Sequence, residues 1–118
     1  LLVVEDEALL RHHLHTRLTE NGHVVEAVAN AEEALYQSGQ YNHDLAVIDL
    51  GLPGMGGLDL IRQVRESVRA AMPIIIVSGD ADVKDAIAAM HLSVVDFLLK
   101  PIDADKLLAL VKQELGIQ

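Results

Sequence analysis

The sequence contains no cysteine and no tryptophan, and it has few residues that carry positive charge. The absence of cysteine excludes disulfides, thiolate catalysis and cysteine-based zinc sites. Nine lysines and arginines stand against eighteen aspartates and glutamates, so the net charge is −9. Such a surface repels the phosphates of nucleic acids, and we therefore expect no direct binding of DNA or RNA.

Long apolar runs are also missing from the chain. No stretch approaches the roughly 18 apolar residues that a membrane-spanning helix needs, and no signal peptide is visible. We therefore expect a cytoplasmic protein without membrane contact. Only three residues are aromatic, whereas 51% of the 118 residues are hydrophobic, so the core must be aliphatic. This length, without linker or repeat, favours one domain over residues 1–118.

Five short apolar runs alternate with segments of helical period. The runs are Leu1–Val4, Val24–Val28, Leu45–Ile48, Ile74–Val77 and Phe97–Leu99. They are mostly continuous and rich in valine and isoleucine, which is typical of strands buried on both faces of a parallel sheet. Five strand–helix units predict an α/β fold of the flavodoxin-like (βα)5 type. This is a doubly wound open parallel sheet with strand order 2-1-3-4-5.

Several helix ends can be predicted from the residues that cap them. Asn21-Gly22 is a left-handed stop for the first helix, and Asp103 is a cap for the start of the fifth. Asn30 and Glu33 resemble a capping box at the start of the second helix. These predicted helix ends lie between the five apolar runs, as an alternation of strands and helices requires.

Four of the predicted strands are followed by chemically reactive side chains. Glu5 and Asp6 follow the first strand, Asp49 the third, Ser78 the fourth and Lys100 the fifth. The carboxyl ends of parallel strands lie at one edge of a sheet, where ligands of open α/β folds bind. We therefore expect three carboxylates, a hydroxyl and an ammonium to meet at that edge.

The chemistry of this set points to a metal ion and a phosphoryl group. Clustered carboxylates repel one another unless a cation neutralises them, and oxygen ligands with room for water suit Mg²⁺. Ser78 can donate a hydrogen bond and Lys100 supplies positive charge, both of which suit a phosphoryl group. Asp49 would be the nucleophile that forms an acyl phosphate. Taken singly, each residue also has an ordinary structural explanation, such as an acidic loop or a surface lysine.

Together with Gly51–Gly57, which reads Gly-Leu-Pro-Gly-Met-Gly-Gly, these residues resemble response-regulator receiver domains over the whole chain. Residues 1–61 look similar to the PhoP branch of the OmpR-type regulators, through Val-Val-Glu-Asp-Glu-Ala-Leu-Leu-Arg-His-His-Leu and Ile-Asp-Leu-Gly-Leu-Pro. The second half departs from that branch. Val95 stands where an acidic residue is expected, Ile102 replaces a phenylalanine, and Ser93 occupies a turn that usually holds glycine.

The resemblance implies a role for each site residue. Asp6 and Asp49 would ligate Mg²⁺ directly, the backbone carbonyl of Gly51 would supply a third oxygen, and Glu5 would hold a metal-bound water. The bond between Lys100 and the proline after it is often cis in this family.

The resemblance also implies a switch. Ser78 and Lys100 would contact the phosphoryl group on Asp49, and Phe97 would turn inward as Ser78 moves.

The implied function is that of a signalling domain rather than an enzyme. It would accept a phosphoryl group from a sensor histidine kinase or a phosphotransfer protein, and would assist its own phosphorylation and dephosphorylation. The phosphorylated form would control an output domain or effector protein, or form a homodimer.

We expect the fourth helix, which follows Asp82, to bury Ile87 and Met90. We also expect mainly apolar partner contacts, through Val83, Ile87 and Leu107 or their neighbours.

Three other functions compete with this interpretation. A pseudo-receiver of the same fold is never phosphorylated, but it usually lacks an acidic residue or the lysine, and this chain keeps them all. An aspartyl-phosphate phosphatase needs a second aspartate two residues after the nucleophile, where Gly51 stands. A flavin electron carrier needs a hydroxyl-rich phosphate loop after the first strand, where Glu5 and Asp6 would repel the phosphate.

Overall fold

Five strands and five helices alternate along the chain in the computed structural model, which describes residues 1–67, 70–79 and 83–116, with the backbone alone of residue 83. They are β1 (Leu2–Val4), α1 (Ala8–Glu20), β2 (Glu26–Val28), α2 (Ala31–Gln40), β3 (Ala46–Asp49), α3 (Gly57–Arg65), β4 (Ile74–Ser78), α4 (Val83–His91), β5 (Asp96–Leu99) and α5 (Ala104–Leu115). Asp82 lies outside the described residues. Among those residues, no helix combines the length and apolar character that crossing a membrane requires.

The strands form one parallel sheet in the order β2-β1-β3-β4-β5, which confirms the predicted topology. Leu2 pairs with both Glu26 and Ala46, so β1 lies between β2 and β3. β3 and β4 pair in the centre of the sheet, with Ala46 opposite Ile74 and Asp49 opposite Val77. The carboxyl ends of β1, β3, β4 and β5 therefore lie together at one edge.

The core consists of two aliphatic layers, one on each face of the sheet. Alternate strand residues face opposite layers, because side chains along a strand point alternately to its two sides. Leu2 and Ile48 pack with residues of α2 and α3, whereas Val3 and Val47 pack with residues of α1 and α5. Burial on both faces explains why the central strands are continuous apolar runs.

The predicted helix ends are present in the structure. α1 ends in a Schellman arrangement, in which the N–H groups of Gly22 and His23 donate to the carbonyls of Thr19 and Leu18, and Gly22 has φ +88°. The Asn30 side chain accepts from the N–H of Glu33 at 2.9 Å.

The start of α5 was also predicted correctly. Asp103 accepts from the N–H groups of Asp105 and Lys106 at 3.0 and 3.3 Å.

The predicted inward face of α4 is wrong. Ile87 and Met90 are exposed, with 52% and 75% of their surface accessible, whereas Ala89 is buried. The space beside the sheet is filled by the small side chain of Ala89 and by Leu92, which packs against the core after the helix ends. The larger apolar residues consequently lie on the neighbouring face of the helix.

Two further expectations need correction. Leu107 is 1% exposed and belongs to the core, so it cannot contact a partner, and the side chain of Val83 lies outside the described residues. β2 begins at Glu26 rather than Val24, which is 87% exposed. As an edge strand, β2 pairs on one side only, and the apolar run extends beyond the paired residues.

Candidate functional site

At the carboxyl edge of the sheet, Asp6, Asp49, Ser78 and Lys100 line one cavity, and Glu5 is buried in contact with Lys100. Asp49 and Ser78 are the last residues of β3 and β4, and both are buried. Glu5 and Asp6 directly follow β1, and Lys100 directly follows β5. The parallel order of the strands alone places these five side chains together, as the sequence predicts.

Lys100 joins two of the carboxylates. Its Nζ lies 2.8 Å from Oε1 of Glu5 and 3.2 Å from Oδ2 of Asp49. Oδ1 of Asp49 accepts from the N–H of Gly51 at 2.9 Å, so both oxygens of this carboxylate are held. The backbone N–H of Lys100 also donates to the carbonyl of Ser78 at 2.8 Å, which fixes the end of β5 beside β4.

Three carboxylates form the one group of potential metal ligands found among the described residues. One oxygen each from Glu5, Asp6 and Asp49 lies within 4.8 Å of the other two. Glu5 is completely buried, yet no described residue donates a hydrogen bond to its ionised Oε2. A buried oxygen without a partner is costly, and a hydrated divalent cation would provide one. The donor set is therefore suited to Mg²⁺.

Burial and mutual contacts shift the pKa values of Glu5, Asp49 and Lys100. Burial raises the pKa of Glu5 to about 7, with the charge of Asp49 adding to the rise and Lys100 opposing it. Burial would raise the pKa of Asp49, but hydrogen bonds with Glu5, Gly51 N–H and Lys100 outweigh it and lower that pKa. Burial likewise opposes the rise in the pKa of Lys100 that its two carboxylate partners produce. Without a metal, the carboxylate pair therefore retains one proton below about pH 7.

A pH dependence of stability follows from Glu5. Between about pH 4.5 and 7, the unfolded chain has lost the Glu5 proton while the folded, metal-free domain keeps it. The free energy of unfolding should therefore fall as pH rises through this window, by roughly 3 kcal/mol in total. The lowered pKa of Asp49 affects the stability below this pH window, and the raised pKa of Lys100 affects it above the window. Glu5→Gln should remove this slope, so that its stability advantage over the wild type grows from pH 5 to pH 8.

Urea unfolding in EDTA measures this difference. Glu114→Gln, which replaces an exposed glutamate on α5, should differ from the wild type by the same amount at both pH values. An advantage of Glu5→Gln that stays constant across the window would contradict the pKa argument for Glu5.

The cavity has a volume of about 700 Å³ and is strongly acidic. Glu7 and Asp85 also line it, and among the described lining residues Lys100 is the only cation. Asp85 lies in the first turn of α4, where an acidic side chain also complements the helix dipole. The cavity is therefore large enough for an ion and a phosphoryl group, and its negative charge favours a cation.

Phe97 lies on β5, three residues before Lys100, and is not among the described residues that line this cavity. The Phe97 ring is half-buried against the core layer that contains Ile76, its partner on β4. The bond between Lys100 and Pro101 is cis, as the resemblance implied.

Two residues outside the predicted set shape the site. A Cβ on Gly57 would overlap the carbonyl oxygen of Asp49 and lie 2.7 Å from Cα of Leu50. Arg11 donates from Nη1 to the carbonyls of Glu5 and Asp6. The run of glycines after Asp49 could have indicated a close approach of backbone segments, but no spacing rule indicated Arg11.

Comparison with known proteins agrees with this geometry. The family model for the response regulator receiver domain matches residues 1–112. The chain belongs to the response-regulator receiver family. It is 55% identical over 107 residues to the two-component response regulator PhoP of Pseudomonas aeruginosa, covering 91% of this chain and 47% of that protein. It is 36% identical over 109 residues to the transcriptional regulatory protein PhoP of Escherichia coli, covering 92% and 48%.

Solved structures give the same result. A response regulator receiver protein from Pseudomonas putida aligns with a TM-score of 0.90 at 50% identity, covering 95% of this chain and 93% of that one. A CheY-like receiver domain from Methanospirillum hungatei aligns with a TM-score of 0.93 at 27% identity, covering 98% and 91%. The chain spans about half the length of the curated PhoP relatives, so it corresponds to the receiver part of such regulators.

Proposed function

We propose that residues 1–118 form one receiver domain that accepts a phosphoryl group on Asp49 in the cytoplasm. The donor is a sensor histidine kinase or a phosphotransfer protein of a two-component phosphorelay. The observation that carries this proposal is the buried carboxylate of Asp49, held by Lys100 and Gly51 beside two further carboxylates. Phosphoryl transfer depends mainly on positioning and charge neutralisation, which this arrangement supplies.

The transfer requires a nucleophile, a leaving group and charge neutralisation. A carboxylate oxygen of Asp49 attacks the phosphorus of a phosphohistidine, the P–N bond breaks, and its electron pair returns to the imidazole nitrogen. The product is an acyl phosphate on Asp49. Lys100 is close enough to move from the Asp49 carboxylate to a phosphoryl oxygen, and the Ser78 hydroxyl lines the same cavity.

Mg²⁺ would complete the charge balance of the site. Asp6, Asp49 and the carbonyl of Gly51 would ligate the ion, and Glu5 would hold one of its waters. When bound, the ion neutralises the carboxylates and the incoming phosphoryl oxygens. The described residues that line the cavity include one cation and several carboxylates, so the site needs further positive charge before it can accept a phosphoryl group.

Intact mass after incubation with acetyl phosphate tests the acceptor. With Mg²⁺ the wild type should gain one phosphoryl group, and Asp49→Ala should gain none, because the nucleophile is absent. Asp59→Ala, which removes an exposed aspartate from α3, should be labelled like the wild type. Labelling that persists in Asp49→Ala would assign the acceptor elsewhere. A wild type that takes no label would favour a pseudo-receiver that is never phosphorylated.

We further propose that Ser78 and Phe97 transmit phosphorylation to an output domain or effector. Ser78 ends β4, which pairs with the strand that carries Phe97, so movement of the hydroxyl towards the phosphoryl group affects the neighbouring ring. Exposed apolar side chains are provided by Ile87 and Met90 on α4, by Val95 directly before β5, and by Leu99 on β5. The partner is a separate protein, an attached domain or a second copy in a phosphorylation-dependent homodimer.

Amide NMR with beryllofluoride, a phosphoryl mimic, tests this switch. Large shifts should extend from Ser78 to Phe97, Ile87 and Leu99, and Ser78→Ala should shrink them while the mimic still binds. Shifts restricted to the residues around Glu5 and Asp49 would show binding without a switch.

A further inference from the structure

We infer that Arg11 is a positioning residue that holds the Asp6 carboxylate in place for a divalent cation; this inference rests on the proposed function. Arg11 lies one turn into α1 and is half-buried. Its Nη1 donates to the carbonyl of Glu5 at 2.9 Å and to the carbonyl of Asp6 at 3.3 Å. The guanidinium thus contacts the backbone of the short segment between β1 and α1.

These two carbonyls belong to the peptide planes on either side of the Asp6 Cα. Holding both planes fixes φ and ψ of Asp6 and therefore the direction of its side chain. The Glu5 N–H donates to the carbonyl of Val28 at 3.0 Å, which anchors the segment where it leaves the sheet. Arg11 anchors the other end of the segment, where it approaches α1.

Asp6 has few other restraints. Its carboxylate is exposed and makes no hydrogen bond with any described residue. The helix cap does not fix the segment either, because the side chain of Glu7 at the N-cap position makes no capping hydrogen bond. The direction of the Asp6 carboxylate consequently depends on the backbone that Arg11 holds.

Charge and positioning predict opposite effects for removal of Arg11. A guanidinium beside a divalent cation repels it, so loss of its charge alone would strengthen Mg²⁺ binding. Loss of positioning would weaken binding, because groups that orient metal ligands typically contribute about 10- to 100-fold to affinity. The sign of the change therefore identifies the role.

Calorimetric titration with Mg²⁺ measures this sign. Arg11→Met should raise the Kd about tenfold, and Arg11→Lys, which keeps the charge and can reach a carbonyl, should fall between it and the wild type. Arg17→Met is the matched control, because Arg17 lies on the same helix but pairs with Asp105 on α5. It removes the same charge and should change the Kd by less than about twofold.

Hydrogen exchange of the metal-free variants gives a second readout. The amides of Asp6 and Glu7 should exchange faster in Arg11→Met than in Arg17→Met. An Arg11→Met variant that binds Mg²⁺ as tightly as the wild type, or more tightly, would overturn the inference even if its melting temperature fell. If Arg11→Met does not fold, a Kd unchanged in Arg11→Gln would overturn it equally. A wild type that binds no Mg²⁺ would refute the proposed function, while exchange would still test the backbone contact.

Discussion

Gly57→Ala should lower the free energy of unfolding by about 3 kcal/mol or more. Gly57 is the first residue of α3, and the new Cβ would overlap the backbone of Asp49 and Leu50. Backbone atoms cannot rotate away as a side chain can, so the helix start or the end of β3 must move. Because the overlap includes the Asp49 carbonyl, phosphoryl acceptance should fall as well.

Gly39→Ala is the matched control for this prediction. Gly39 lies in α2, and a Cβ there would meet no atom within 4 Å. Alanine favours a helix more than glycine does, so this variant should gain about 0.5–1 kcal/mol. Urea unfolding of both variants measures the two effects with the same chemical change. A loss of less than about 1 kcal/mol in Gly57→Ala would mean that α3 can shift freely against β3.

Arg65→Met should cost about 3 kcal/mol, which corresponds to a fall of about 10 °C in melting temperature. The Arg65 guanidinium donates to four backbone carbonyls. These belong to Leu92 at 2.7 Å, Met72 at 2.6 Å, Ala70 at 3.0 Å and Ser93 at 3.2 Å. Burial lowers the pKa of Arg65, and no carboxylate among the described residues pairs with it to offset that effect. Methionine would fill the space but leave these carbonyls without their donor.

Arg62→Met separates this network from the loss of charge. Arg62 lies three residues earlier on α3 and pairs with Asp59 at the surface. Exposed ion pairs of this kind contribute little, so the change should stay within about 0.5 kcal/mol. Arg65→Lys should recover only part of the lost stability. One ammonium group cannot reach the carbonyls in the segment before β4 and those in the segment before β5 at the same time. Equal thermal melting of Arg62→Met and Arg65→Met would remove any special role for the four-carbonyl contact.

The fold could be predicted because its signals are local and repeated. Each central strand is an apolar run, and each reactive side chain follows such a run, so strand order determines which side chains meet. Capping residues such as Asn30 and Asp103 act within three residues of themselves, and their contacts follow directly from the sequence.

The features that the sequence did not reveal depend on distant parts of the chain. Arg65 reaches carbonyls 27 and 28 residues away, and no sequence pattern identifies a carbonyl as a partner. The inward face of α4 was misassigned because hydrophobicity favours large residues, whereas the space beside the sheet admits Ala89. At Ser93, where φ is +59°, an unfavourable left-handed conformation is retained in the turn that Arg65 contacts.

The ion pair between Lys100 and Glu5 joins residues that are 95 positions apart. During synthesis, the acidic residues Glu5, Asp6 and Asp49 leave the ribosome long before Lys100 does. Until β5 is added beside β4, the Asp49 carboxylate lacks the cation that neutralises it. The ion pair between the first and last strand–helix units can therefore form only after β5 is in place, and the charge balance around Asp49 depends on the last strand of the sheet.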